Sequence, residues 1–192
     1  MLNVLLFGPQ GSGKGTQAKR IAAEYAIPHV STGDMFRAAI AKGTSLGQQV
    51  EPILASGALV PDDLTIGLIR ERLAEPDAAE GFILDGFPRN LAQAEALDGL
   101  LDELGRPLTV VLELLVSDDE CVARIAGRAA EEGRADDTPD AVARRLEIYH
   151  RDTEPISDHY RTTGRLVGIP GDGSVDEVWT EIQQALEQAV PA

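Results

Sequence analysis

The sequence predicts an α/β fold, a five-stranded parallel sheet with helices on both faces. Three observations point there. Short apolar runs (LNVLLF, PHVS, GFILD, LTVVLELLV and RLVGI) alternate with longer stretches of helical periodicity, the pattern of strand–helix crossovers. The first and fourth runs are apolar on both alternating faces, which marks strands covered from two sides. A glycine-rich turn joins the first run to the first helix.

Taken in order, residues 2–7 form the first strand. The first helix runs from Lys14 to Tyr25, with Ala18, Ile21, Ala22 and Tyr25 as its apolar stripe. Residues 31–73 are too long for a minimal crossover and read as several helices broken at Gly43, Pro52 and Gly57. The last of these opens at VPDDL, with Pro61 at or near its first position and acids suited to the helix dipole. GFILD is the third strand and residues 108–116 the fourth. GRAAEEGRADDTPD, around residues 127–140, is a polar break in the helical pattern. The division that results is one domain over 1–192: a core of 1–30, 61–126 and 138–192, an insertion at 31–60, and a short excursion at 127–137. No internal repeat, heptad pattern or low-complexity tail interrupts it.

Composition narrows the function. A net charge of −15 disfavours nucleic acid and anionic membrane as partners, because both are bound through basic surface. The few cations are mostly arginine, lysine being limited to Lys14, Lys19 and Lys42, so an anion site must gather arginines locally. Cys121 is the one cysteine, which excludes an internal disulfide and a cysteine-rich zinc site and agrees with a cytoplasmic setting. It reads as a buried helix residue rather than a nucleophile. No stretch is long and apolar enough to span a bilayer. The start, MLNVLLFGPQG, has no basic head or small-residue cleavage site and reads as a strand.

GPQGSGKGT, residues 8–16, fits GxxxxGK at Gly8, Gly13 and Lys14 between a strand and a helix. Backbone N–H groups must converge on phosphate oxygens there, and glycine permits the tight bend. Gly11, Ser12, Gly13, Lys14, Gly15 and Thr16 are therefore the candidate ATP-phosphate cradle, with Lys14 as a point charge for the outer phosphates. The hydroxyl of Thr16 comes one residue later than in the general pattern, which weakens its assignment as a direct magnesium ligand.

That loop, followed by STGDMFR (residues 31–37), DGFPRN (85–90), GRADD (133–137) and RRLEIY (144–149), resembles the nucleoside monophosphate kinases, and the adenylate kinases most closely. The resemblance implies a P-loop core, a helical monophosphate-binding insertion and a lid in its short, zinc-free form. It also implies Mg²⁺-dependent phosphoryl transfer between ATP and AMP, with ADP as product (EC 2.7.4.3). By resemblance, Arg37 and Arg89 grip the AMP phosphate, a task suited to the planar guanidinium fork. Thr32 and the Gly86, Phe87 and Pro88 stretch lie around AMP, Ala58, Leu59 and Val60 wall its base, and Gln93 reads adenine. Gln93 would share a helical face with Arg89 if a helix began there. Asp85, ending the third strand, resembles the acid that holds the magnesium hydration shell. Arg124 stacks on the ATP adenine, Arg128 contacts its phosphates, and Gly173 offers a backbone contact to adenine. Arg134 and Arg145 reach the transferring group and the AMP phosphate, while Arg144 faces elsewhere. Five cations, Lys14, Arg89, Arg128, Arg134 and Arg145, would then stabilise the transferring charge, and 31–60 and 127–137 would close over the nucleotides to exclude water.

A UMP/CMP kinase shares the loop and a DGFPRN-like run; Thr32 and Gln93 favour AMP. A catalytically silent nucleotide-binding regulator would lack one of the cations, and all are present. A GTPase is disfavoured because no NKxD stretch occurs. His29 and His159 read as structural or surface residues, Trp179 as packing for the last helix, and the chain as a monomer.

Overall fold

In the computed structural model, which describes residues 1–132 and 137–189 (side chains of 130–132 excepted), the apolar runs assemble as one parallel sheet. The strands are β1 (Leu2–Phe7), β2 (His29–Ser31), β3 (Gly81–Asp85), β4 (Val110–Leu115) and β5 (Leu166–Pro170). Their order is β2-β3-β1-β4-β5, all parallel. The predicted α/β class and five-stranded sheet are what the chain adopts.

Alternation along β1 explains the two-sided core. Leu5 and Phe7 face one side, meeting Ile69 and Leu73 of α4 (Asp62–Leu73), Leu97 and Leu101 of α5 (Leu91–Glu103), and Tyr160 of α8 (Ile156–Thr162). Leu2, Val4 and Leu6 face the other, against Ala18 and Ile21 of α1 (Lys14–Tyr25) and Val178, Ile182 and Leu186 of α9 (Val175–Ala189). Each fully buried aliphatic or aromatic side chain contributes about 1.5–3 kcal/mol, so the central strand is anchored from both faces. Trp179 joins the α9 side with the Arg20 guanidinium 6.0 Å from its ring.

Between β2 and β3 lie α2 (Thr32–Ala41), α3 (Ser45–Ala55) and α4. Phe36, Val50 and Val60 form a small apolar cluster of their own, with Ile40, Ile53 and Leu64 against it. Gly43 and Gly57 end α2 and α3 as expected, both with positive φ. Pro52 does not break the chain but sits inside α3. It deletes only the hydrogen bond to the Gln48 carbonyl, and both residues are exposed, so water can satisfy that carbonyl. Pro61 is the N-cap of α4, next to its first residue as expected.

The expected break at 127 is also displaced. Helix α6 (Asp118–Glu132) runs straight through Gly127, and α7 (Pro139–Ile148) starts behind a Thr138 cap whose Oγ accepts from Ala141 N. Alanine and glutamate in GRAAEE sustain a helix that one glycine does not stop. The remainder of the expected lid, residues 133–136 with Arg134, lies outside the described residues. A five-residue π-helical turn, Tyr149–Thr153, links α7 to α8.

Candidate active site

The carboxyl edge of a parallel sheet presents loops and helix N-termini to one side, where α/β folds hold ligands. Here that edge carries a cleft of about 770 Å³. Its floor is the loop between β1 and α1, with Gly11, Ser12, Gly13, Lys14, Gly15 and Thr16 all lining it. Gly11 and Gly13 adopt φ +84° and +92°, conformations that L side chains rarely enter. A Cβ on Gly11 would stand 2.5 Å from the Cys121 carbonyl oxygen of α6, so the loop touches that helix backbone to backbone.

Lys14 Nζ donates to the Gly8 and Pro9 carbonyls, both at 2.8 Å, and reaches Ser12 Oγ at 3.5 Å. Its withdrawal from water lowers the ammonium pKa from 10.5 to about 8, against the opposing pull of Asp85. The loop thus holds a cation that lacks full hydration and gains from an arriving anion.

Among the described residues, seven Lys and Arg side chains line this cleft: Lys14, Lys19, Arg37, Arg89, Arg124, Arg128 and Arg145. Among the described residues, Asp34, Asp85 and Glu120 are the acids that oppose them on the lining. A protein of charge −15 has therefore concentrated its cations where polyanion binding would use them. Several are held by internal partners. Arg124 Nε donates to Glu120 (2.7 Å), and its Nη atoms approach the Ser12 and Gly173 carbonyls at 3.4 Å. Arg128 makes a two-point bond to Asp137 (2.9 and 2.7 Å), whose carboxylate also accepts from Gln10 (3.1 Å) and lies 3.8 Å from Arg145. Arg37 pairs with Asp34 at 2.6 Å. Arg145 also donates to the Leu54 carbonyl, while Arg144 turns to Ser56 and does not line the cleft.

A narrow recess adjoins the cleft and shares Gly33, Leu54, Ala58, Leu59, Gly86 and Arg89 with it. Thr32, Phe36, Val60, Thr65 and Gln93 complete its wall. Thr32 Oγ1 donates to the Gly86 carbonyl (2.9 Å), and so does Arg89 Nε (2.7 Å). Pro88 lines the cleft, whereas the Phe87 side chain is buried in the core beneath it. The helical-face argument for Gln93 does not hold: α5 begins at Leu91 with Asn90 as cap, so Arg89 precedes the helix. The two meet another way, Gln93 Oε1 accepting from the Arg89 backbone N–H at 2.8 Å.

Asp85 ends β3 with its carboxylate toward Gly15, whose added Cβ would lie 3.9 Å away. Thr16 is on the same lining. These are hard oxygen donors, and among the described residues no group of three or more His, Cys, Asp or Glu gathers to hold a metal by itself. One or two protein oxygens completed by water and phosphate is a magnesium-type donor set.

The adenylate kinase family model matches residues 6–165. The chain belongs to the adenylate kinase family. It is 50% identical over 186 residues to an adenylate kinase of Stenotrophomonas maltophilia (strain K279a), covering 97% of this chain and all of that one. An adenylate kinase of Xanthomonas campestris pv. campestris (strain B100) is 49% identical over 185 residues, covering 96% and 99%. One of Lysinibacillus sphaericus (strain C3-41) is 45% identical over 215 residues, covering 98% and 99%. At this candidate site, three residue contacts escaped sequence reasoning. His29 Nε2 lies 3.1 Å from Asp85 Oδ2, so of the two expected readings, structural or surface, the structural one holds, as a neighbour of the candidate acid. Thr153, in the π-helical turn, donates to the Arg89 carbonyl at 2.6 Å. Asp137 is the acid that holds Arg128. A histidine two residues before STGD was the only signal on offer for the first; Asp137 closes the GRADD run only nine residues from Arg128, whereas Thr153 reaches Arg89 across 64 residues.

Proposed function

We propose that the cleft and recess are the ATP and AMP sites of an enzyme catalysing ATP + AMP = 2 ADP. The observation that carries this reading is the junction of the two compartments at Gly86 and Arg89, since direct transfer needs the donor and acceptor phosphates to meet. In this reading the loop from Gly11 to Thr16 cradles the ATP phosphates and Lys14 neutralises them. Arg124 and Gly173 flank the ATP base, and Arg128 exchanges Asp137 for phosphate oxygens. Arg37 and Arg89 grip AMP, with Thr32, Ala58, Leu59, Val60 and Gln93 around its base. Arg145 and Arg134 add charge at the transferring group. Aligned donors and fixed cations stabilise a spread-out phosphoryl charge without reorganising at the moment of transfer.

Asp85, through water, with Thr16 nearby, would hold Mg²⁺. Bound there with the nucleotide, the ion supplies neutralisation of phosphate charge. The chain's own contribution is to orient that carboxylate through His29 and to seat the phosphates on the loop.

Residues 31–60 act in this reading as the monophosphate-binding insertion, supported by their separate apolar cluster, and 127–137 as a short lid. Support for the short form comes from the sequence, which puts Arg134 only six positions after Arg128. A single chain lines both compartments, which suits a monomer, and a lone buried thiol suits the cytoplasm. Among the described residues no helix is long and apolar enough to cross a membrane.

A coupled assay offering AMP, UMP, CMP and GMP with ATP tests the reading. Preference for AMP supports it; preference for UMP would favour a pyrimidine monophosphate kinase.

A further inference from the structure

Gln93 is buried in the wall of the recess, and both ends of its carboxamide are already engaged. Oε1 accepts from Arg89 N at 2.8 Å, and Nε2 donates to Asp62 Oδ1 at 2.7 Å. Chemistry alone fixes this orientation, because a carboxylate can only accept and a backbone N–H can only donate. Asp62 is itself fixed. Its Oδ1 also accepts from Asn90 Nδ2 at 2.9 Å, while Asn90 Oδ1 caps α5 by accepting from Gln93 N at 2.8 Å. The first turn of α4, whose N–H groups favour an anion, is thereby tied to the first turn of α5.

We infer that Asp62 is a positioning residue that sets base selectivity by locking the Gln93 carboxamide in one of its two orientations. The inference rests on the reading that Gln93 faces the base of the monophosphate. One lone pair of Oε1 and one hydrogen of Nε2 remain, so the locked amide offers an acceptor beside a donor. Adenine presents the complement, a 6-amino donor beside the N1 acceptor. Hypoxanthine has the same shape with the pattern reversed, O6 accepting and N1–H donating. To fit it the amide must turn over, which would point Nε2 at the Arg89 N–H and Oε1 at the Asp62 carboxylate. Two hydrogen bonds become two repulsions, and selectivity arises from a group outside the pocket wall.

The sequence gives Asp62 a blander role as a helix-dipole acid. That role predicts equal effects on every substrate, so the test is a ratio. With saturating ATP, kcat/KM for AMP and for IMP is measured on the intact enzyme and on Asp62→Asn, Asp62→Ala and Gln93→Ala, each checked for a native melting transition. Loss of the charge-assisted bond should lower the AMP-to-IMP ratio about tenfold in Asp62→Ala. A smaller fall is expected in Asp62→Asn, which keeps an acceptor but no charge. Either folded variant alone carries the test. A ratio unchanged at position 62 while Gln93→Ala collapses it would overturn the proposal and leave the base-reading role of Gln93 intact. A ratio unchanged in Gln93→Ala would overturn that underlying reading.

Discussion

Gly11→Ala probes the join between the phosphate loop and α6. The new methyl would stand 2.5 Å from the Cys121 carbonyl oxygen and 2.9 Å from Ile125 Cγ1, at φ +84°. A left-handed conformation costs a non-glycine residue about 1–2 kcal/mol. Overlap with packed atoms adds about 1–3 kcal/mol, and the carbonyl is helix backbone, so no side chain can swing aside to relieve it. The sum is a loss of about 2–5 kcal/mol, read as a shift in the urea unfolding midpoint. Because α6 carries Arg124 and Arg128, the same displacement should lower kcat/KM for ATP by about a hundredfold. Gly99→Ala is the control. Gly99 is an exposed residue in mid-α5 with nothing within 4 Å of an added Cβ, so it should gain about 0.5–1 kcal/mol and keep full activity. A Gly11→Ala enzyme within about 0.5 kcal/mol of the parent, with unchanged kcat/KM, would refute the backbone contact.

Lys14 titrates near 8 in the free protein because its burial lowers the pKa from 10.5. Between those values the unfolded chain binds the extra proton, so this group makes stability rise with pH across that window, and nucleotide phosphate should restore the proton. Calorimetry at pH 8 in buffers of different ionisation enthalpy should show uptake of about half a proton on ATP binding; no buffer dependence would contradict it. Asp137→Asn removes the buried anion that holds Arg128 and should cost about 2 kcal/mol in urea unfolding. An unchanged midpoint would mean that the pair contributes nothing. Cys121 is buried, and its desolvation raises the thiol pKa to about 11. Its reaction with a disulfide reagent at pH 8 should be at least about a hundredfold slower in native protein than in urea. Similar rates would show that α6 is not sealed against the loop.

How far the sequence reached depends on how local each signal was. β1 and α1 were legible because a strand apolar on both faces and a helix with one apolar stripe have few alternative placements, and the glycine loop between them left little choice of conformation. Pro52 misled, since the rule that proline breaks helices assumes a carbonyl that cannot find water. The length of α6 was missed because polarity was read as a break, although alanine and glutamate favour helix. The site contacts were harder still. His29 meets Asp85 across 56 residues, through the pairing of β2 with β3, and Asp62 meets Gln93 across 31, where α4 crosses α5. No periodicity encodes such distances. Resemblance gathered the arginines into a plausible set; folding the chain shows which are held by Glu120, Asp137 and Asp34, a matter of side-chain reach rather than pattern.

The central claim is that one phosphoryl group passes between two adenine nucleotides without passing to water. Incubating the protein with Mg²⁺ and ADP alone, followed by ³¹P NMR, tests it from the product side with no coupling enzyme. The account predicts ATP and AMP appearing in equal amounts, with no orthophosphate. Orthophosphate accumulating in step with ADP loss, or ADP left unchanged, would contradict it.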